Sequence, residues 1–498
     1  MSKISKFIAL AAAFFFAACS LKPWMDTPEA KFNANVALNT CLEQNGSKCE
    51  MGSENDEVKF DKEWWKIFND KKLNEFVDKA LKNNTDLRIS YLRFEQAAAA
   101  LGIDRSSLLP KLDASAGAAR AKTPKNASAT GSSYIANSFN LGLNLSYELD
   151  LWGKYRDSYS AASKAYEASI YDFEAARLSL IANVVKLYFN AVNLNNQVEV
   201  LAQTVEDYTT SYELKQTQRS VGAISEYELY NYKAQLESVK VQLTSLKASR
   251  DANAQALMIL VSSDLNEILY ATLPYTKIAD FKVELPQGIS SKILLQRPDI
   301  RAALARLEQK NYLVGVARTA YLPSISLTGL LGFQSGELGR LLQGNSVAWS
   351  AGASALMPIF RWGEISYNVD TAKLAKDEAY LNYESTLKTA FGEVRTALVQ
   401  RESAFLNEKN YADLLESQEK IYNLAQIRYN NGSSSLEDLI SARQSYLNAK
   451  LNYENSVYSL LSSVVDIIKA FGGGFNAEDD AEKAIKQSAK NLDMKFRD

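Results

Sequence analysis

The chain has 498 residues, with 56 Lys+Arg against 58 Asp+Glu, no histidine, three cysteines and 47% apolar residues. That composition excludes disorder for the bulk of the chain. The missing histidine excludes Ser-His-Asp and Cys-His relays and any histidine metal cluster, and three cysteines fall short of an all-thiolate zinc site. A net charge of -2 provides no footprint for nucleic acid, and neither a cofactor nor a metal is expected.

Lys3 and Lys6 precede an apolar run over residues 7–18 that ends at Cys19. A basic start, a short apolar stretch and small residues at its end predict a signal peptide over residues 1–18. The run is too short for a transmembrane helix, which needs about 20 apolar residues. Phe16-Ala17-Ala18-Cys19 has the form of a bacterial lipoprotein cleavage box, so residues 19–62 are expected to be a segment lipidated at Cys19, and Ser20 in place of Asp fits export to the outer membrane. The alternative is a plain secretory signal with an incidental cysteine. One acyl chain holds a protein only marginally, so lipid would supplement another attachment. Cys41 and Cys49 lie eight apart in a polar stretch and read either as a disulfide or as two free thiols.

From residue 63 the chain is one unit written twice. Asn84-Thr85-Asp86-Leu87-Arg88 is echoed by Arg297-Pro298-Asp299-Ile300-Arg301 at an offset of 213, and Glu95/Glu308, Gly102/Gly315, Arg105/Arg318 and Pro110/Pro323 keep that register. At an offset of 210, Trp152-Gly153 matches Trp362-Gly363, and Gly222, Ser225 and Leu229 match Gly432, Ser435 and Leu439. The expected units are repeat 1 over 63–269, a connector over 270–290, repeat 2 over 291–471 and a charged tail over 472–498.

Repeat 1 begins with a helical stretch over 71–106, stopped by Leu109-Pro110. A weak strand over about 111–122 follows. The next strand, about 137–151, alternates without interruption: Phe139, Leu141, Leu143, Leu145, Tyr147, Leu149 and Leu151 against Asn140, Gly142, Asn144, Ser146, Glu148 and Asp150. A long helix over about 155–219 carries Leu178, Ile181, Val185, Tyr188 and Val192 at coiled-coil spacing. A turn at Gly222 then leads to a returning helix over about 225–268. Repeat 2 repeats the order: helix 292–318, strands 324–335 and 346–360, long helix 364–430, a turn at Gly432 and returning helix 436–470. No charge occurs between Lys125 and Glu148, Arg318 and Glu337, or Arg340 and Arg361. A membrane strand needs only about 9–11 residues and tolerates a polar inward face, whereas a soluble sheet usually carries Lys or Glu on its wet side.

Four such strands cannot close a barrel, and an open sheet in lipid leaves edge N–H and C=O groups unpaired. Several copies must therefore share one barrel. Two to four copies are possible, and three would supply twelve strands. Trp152, Tyr321, Phe360 and Trp362 sit at strand ends, either as interfacial aromatics or as junction core.

The duplicated Leu-Pro before strands, the Leu151-Trp152-Gly153 and Arg361-Trp362-Gly363 exits, Arg297-Pro298-Asp299-Ile300 and the turn from Arg428 through Gly432 to Leu439 and Ala442 resemble the TolC superfamily of outer-membrane efflux ducts. The resemblance is closest to the lipoprotein outer-membrane factors of resistance-nodulation-division (RND) pumps and covers nearly the whole chain. It implies an α+β membrane protein: a homotrimer with a twelve-stranded barrel continued by a helical coiled-coil tunnel, partnered by outer-membrane lipid, a periplasmic adaptor and an inner-membrane RND transporter. It also implies a gate at the tips Gly222 and Gly432. Asp438 would form a ring across the threefold axis, Tyr429 would bond Glu228 on the neighbouring turn, and Glu437 would add charge beside Asp438. Three converging carboxylates repel one another and attract cations. Without the resemblance, Asp438 reads as a solvated acid at a helix N-terminus. Ser441 and Ser434 stand where that gate pattern has a second aspartate and an arginine.

The resulting expectation is a passive exit duct for multidrug efflux, not an enzyme. The same duct serving type I protein secretion is the alternative, and a lipid-anchored coiled-coil scaffold without a pore is the reading from another class.

Overall fold

The computed structural model describes residues 20–25, 37–38, 61–129, 131–261 and 289–475. The signal peptide, Cys19, Cys41, Cys49, most of segments 19–62 and 270–290, and the tail beyond Phe475 lie outside the described residues.

Two helices, α1 (Lys71–Asn83) and α2 (Thr85–Ser106), replace the single stretch read from the sequence. Asn84 separates them: its extended backbone breaks the helix, and its Oδ1 accepts the Leu87 N–H as a new N-cap. Strands β1 (Lys111–Thr123) and β2 (Tyr134–Leu149) form the first hairpin. Next come α3 (Lys154–Ser220) and α4, whose described part is Glu226–Val261. Repeat 2 contains α5 (Pro298–Thr319), β3 (Ser324–Ser335), β4 (Val347–Leu356), α6 (Glu364–Asn430) and α7 (Leu436–Ala470). Pro298 starts α5 because a helix's first position needs no N–H donor, and residues 291–296 form a separate 3-10 turn. The fourth strand stops at Leu356, short of the expected 360, two residues before Pro358, which cannot donate to a ladder.

The four strands form one antiparallel sheet in the order β1-β2-β3-β4. Its register sorts the side chains. Leu112, Leu145 and Gly329 share a face with Ala351; so do Ala114, Leu143, Leu331 and Trp349, and Ala116, Leu141, Phe333 and Val347. The opposite face carries Ser115, Asn144, Ser146, Thr328, Ser350 and Ser354. From Phe139 to Leu149 the apolar face spans about ten residue steps; at about 3.4 Å each and a tilt of about 40° that is about 26 Å, the height of the apolar band on an outer-membrane barrel. Arg120 and Lys122 occupy the same face beyond Ala118, opposite Asn137 and Ile135, and mark its outer limit. Among the described residues no helix is long and apolar enough to cross a membrane.

Both α3 and α6 have 67 residues, about 100 Å at about 1.5 Å per residue. Shorter helices stack end to end along them. The Asn84 amide donates to the Leu260 carbonyl, so α2 begins where the described part of α4 ends, and the Arg297 guanidinium donates to the Ala470 carbonyl, so α5 begins where α7 ends. The main core lies at this level, where Trp64, Trp65 and Phe68 pack with Leu73, Val185, Phe189, Leu257 and Val465. At the sheet junction, Gly153 and Gly363 take positive φ of 78° and 87°, which lets the chain turn from strand into helix. The Trp152 indole donates to the Pro323 carbonyl at 2.7 Å, while Trp362 is exposed and stacks edge-on with Phe360.

Candidate functional site: the helix tips

The two helix-to-helix turns have one construction. Gly222 and Gly432 adopt φ of 76° and 69°. The following N–H groups, of Ala223 and Ser433, each donate at 2.8 Å to a carbonyl five residues back, Gln218 or Arg428, closing the helix C-terminus. Ser225 and Ser435 then cap the returning helices, their hydroxyls each accepting from the residue three ahead, Glu228 or Asp438, at 3.1 Å.

The two acids at that third position diverge. Asp438 completes a capping box: its Oδ2 accepts the Ser435 N–H at 3.0 Å and the Ser435 hydroxyl at 2.8 Å, and these bonds hold its carboxyl below the usual carboxylate range. Within the protomer it is therefore a helix-cap acid. Glu228 is directed instead to Lys215, whose Nζ lies 3.2 Å from Glu228 Oε1 and 2.7 Å from Glu437 Oε2. Lys215 thus joins the last turns of α3 to the first turns of both α4 and α7. Its side chain is only 6% exposed, against 43% and 48% for the two carboxylates, and its ammonium lies 4.7 Å from the Tyr232 ring centroid. The Tyr232 hydroxyl donates to the second oxygen of Glu437.

These contacts set the charges. Burial opposes ionisation of Lys215, but bonds to Glu437 and Glu228 outweigh it and raise its pKa. The Lys215 bond, followed by that from Tyr232, lowers Glu437. Two sequence expectations change here. Glu437 does stand beside Asp438, but its two oxygens are engaged by Lys215 and Tyr232, so its charge is tied to the clasp. The expected Tyr429–Glu228 bond is absent within the protomer among the described residues: Glu228 is held by Lys215, and Tyr429 is 39% exposed.

The residue that sequence reasoning missed is Lys215, and the signal was the changing character of one seam. The buried stripe of α3 is apolar through Val185, Tyr188 and Val192, mixed through Asn193, Asn196, Val200 and Leu201, and polar from Thr204 through Asp207 and Ser211 to Lys215. Opposite it, α7 supplies rungs in antiparallel order: Lys186 with Asp466, Asn193 with Asn455 at 3.2 Å, Asp207 with Arg443 at 3.2 Å, and Lys215 with Glu437. Extending the seam to its last turn leads to Lys215. Toward the tip, α3 and α7 are therefore joined by polar groups, which release one another at lower cost than an apolar seam of the same length.

A sheet with one apolar face and two open edges, set on a pair of 67-residue helices, is the protomer of a shared barrel and tunnel. The family model "Outer membrane efflux protein" matches residues 76–262 and 289–473. Among curated relatives, the probable efflux pump outer membrane protein SepC of Pseudomonas putida is 31% identical over 473 residues, covering 94% of this chain and 97% of its own. The outer membrane protein OprJ of Pseudomonas aeruginosa is 31% identical over 470 residues, covering 94% and 95%. The crystal structure of the Campylobacter jejuni CmeC outer membrane channel superposes with a TM-score of 0.85 at 48% identity, covering 96% of this chain and all of that one. The open state of the Neisseria gonorrhoeae MtrE outer membrane channel gives 0.76 at 31% identity, covering 92% and 99%. This chain belongs to the outer membrane efflux protein family, whose members are channels.

Proposed function

We propose that the protein is the passive outer-membrane exit duct of a tripartite efflux pump: a homotrimer, anchored by lipid at Cys19, that a periplasmic adaptor and an RND transporter open at the Gly222 and Gly432 tips. The observation that carries this reading is the sheet. Its apolar face is as tall as the apolar band of an outer-membrane barrel, its other face over that height is polar apart from Leu330, and the edges β1 and β4 present unpaired backbone groups. Pairing the β4 edge of one copy with the β1 edge of the next satisfies those groups, and three copies supply twelve strands.

The repeat supports the same assembly in the helices. Within one protomer α3 packs on α7. Shifted by 210 residues, that contact becomes α6 against α4 of the next copy. The faces it would cover are open in the single chain: Leu406, Leu414 and Leu424 on α6, and Tyr227, Tyr230 and Val241 on α4 are exposed. The scaffold reading accounts for neither the sheet nor its edges, and the relatives are named as efflux components rather than secretion ducts.

At the tip we assign Lys215, Glu228 and Glu437 as the clasp that holds α7 against α3 and α4. Asp438 and Tyr429 are the groups left to act between protomers, Asp438 as a ring and Tyr429 toward the neighbouring copy. The test is single-channel recording of the purified protein in lipid, alongside mass measurement of the detergent-solubilised oligomer. A trimer with low resting conductance supports the reading; a monomer that never conducts overturns it. Drug hypersensitivity on deletion, without loss of an exported protein, separates efflux from secretion.

A further inference from the structure

Far from the tips, the described segment Ser20–Pro23 lies along α5 and the start of α3, and each of its residues is held there. The Ser20 hydroxyl donates to Asp157 Oδ2 at 2.8 Å and accepts the Lys22 N–H at 3.2 Å. The Leu21 carbonyl accepts from Arg318 Nη1 at 3.1 Å, and the Pro23 carbonyl accepts from Asn311 Nδ2 at 3.0 Å. The Lys22 ammonium lies 4.1 Å from the Tyr312 ring centroid. Asp157 and Asn311 are 3% and 4% exposed, so the Asp157 carboxylate and the Asn311 amide N–H meet this segment rather than solvent. Gly315 makes the fit possible: a Cβ there would stand 2.5 Å from Asp157 Oδ2 and 2.8 Å from the Lys22 nitrogen.

The direction of the segment matters. Leu21 is level with Arg318, at the end of α5 next to the sheet, and Pro23 with Asn311, two turns farther from it. Read from Pro23 back to Ser20, the chain climbs toward the membrane. Cys19 is one peptide step, about 3.8 Å between Cα atoms, beyond Ser20.

We propose that Asp157, Asn311, Gly315 and Arg318 form a cradle for the processed N-terminal segment, which fixes where the acyl group on Cys19 enters the membrane relative to the barrel wall. The purpose of the cradle rests on the lipidation reading above; its existence does not. A tethered lipid on a loose segment of more than forty residues could insert anywhere around the barrel, whereas a docked segment places it beside the β3 junction of its own protomer. Asp157 and Arg318 act as positioning residues that recognise the segment through its backbone and one hydroxyl.

The experiment uses the full chain with Cys41→Ser and Cys49→Ser, and a spin label at Met25→Cys, just past the cradle. The label is expected to tumble with the protein in the parent and to loosen toward about a nanosecond in Asp157→Ala and in the double variant Asn311→Ala/Arg318→Ala. Asp157→Asn, which still accepts the Ser20 hydroxyl, should remain immobilised, which a general packing defect at residue 157 would not allow. If one variant fails to assemble, the other decides. A mobile label in the parent, or an unchanged label in both cradle variants, overturns the cradle. The mass of the N-terminal peptide is measured in the same samples. An unacylated Cys19 with an immobilised label removes the lipid role and leaves the cradle standing; an acylated Cys19 with a mobile label overturns the cradle and its positioning role and leaves only the lipid anchor of the proposed function.

Discussion

Lys215 of α3 and Glu437 of α7, 222 residues apart in sequence, meet at 2.7 Å, and the repeat-equivalent positions hold Ala425 and Tyr227, which cannot form such a pair. The clasp therefore exists once per protomer, between the two helix pairs of one chain. Each charge-assisted bond is worth up to about 1.5–3 kcal/mol when buried, but both carboxylates are nearly half exposed, which reduces the clasp to about 1 kcal/mol. Lys215→Met should then shift the closed-to-open balance about fivefold toward open, read as increased single-channel conductance or open time. Unchanged currents in Lys215→Met would remove the clasp from the gate.

The pH dependence of the clasp has a definite sign. Glu437 has a lowered pKa in the folded state, so its stabilising contribution is present above the ordinary glutamate range and is lost as pH falls through the folded value. Lys215 has a raised pKa, so its contribution is present below the ordinary lysine value and is lost only as pH rises through the higher folded one. The tip should stay closed across neutral pH and begin to leak on acidification below about pH 4.3. In Glu437→Gln the acid-induced rise in conductance should shrink, because the titrating group is gone.

The strands were legible in the sequence because their period of two survives every neighbour, and even the Ala-rich stretch from Leu112 to Ala118 takes its place opposite Phe139, Leu141, Leu143 and Leu145. Lys215 was not, because a lysine among Glu213, Gln216 and Arg219 reads as solvated helix surface until α7 is laid against it. Glu228 needed the fold as well: thirteen residues separate it from Lys215, and only the reversal at Gly222 brings them together. Asp438 was half legible. Ser435 and Asp438, three apart, announce a helix start, but a ring across a threefold axis belongs to three chains and is written in no single one.

That division gives a test for Asp438. Asp438→Asn keeps an oxygen that can accept from Ser435 and removes the charge; Ser435→Ala removes the cap at a cost of about 1 kcal/mol and leaves the charge. If a carboxylate ring constricts the axis, Asp438→Asn should reduce cation selectivity, measured as reversal potential in a salt gradient, while Ser435→Ala should not. Equal, small shifts in both would confine Asp438 to capping.

The sheet faces can be tested one residue apart. Leu143 lies on the apolar face between Ala114 and Leu331, and Asn144 on the other face opposite Asp113. Leu143→Arg should cost about 2–4 kcal/mol near the middle of the membrane band and reduce the yield of assembled oligomer in outer-membrane fractions. Asn144→Arg, losing one bond to the Ser115 hydroxyl, should assemble and instead alter conductance.

Glu454 on α7 lies in the α3–α7 seam, 9% exposed, with Oε2 unpartnered, and the Asn193 and Asn196 side-chain oxygens on α3 are unpartnered too. Burial pushes its pKa up to about 7; Lys450 on its own helix pulls it down, and Glu199 on α3 raises it further. A carboxyl whose folded pKa lies above its unfolded one binds its proton more tightly in the folded protein, so stability falls as pH rises from the unfolded value, about 4.3, to about 7 and is level above that. Glu454→Gln, which keeps the shape and cannot ionise, should raise the temperature at which the oligomer dissociates at pH 8 by about 2–5 °C, and the gain should vanish by about pH 4.3. A lowered dissociation temperature at pH 8 in place of the gain would mean that the carboxylate is paired across the protomer boundary rather than buried alone, and a gain that persists unchanged at acid pH would mean that its ionisation is not the source.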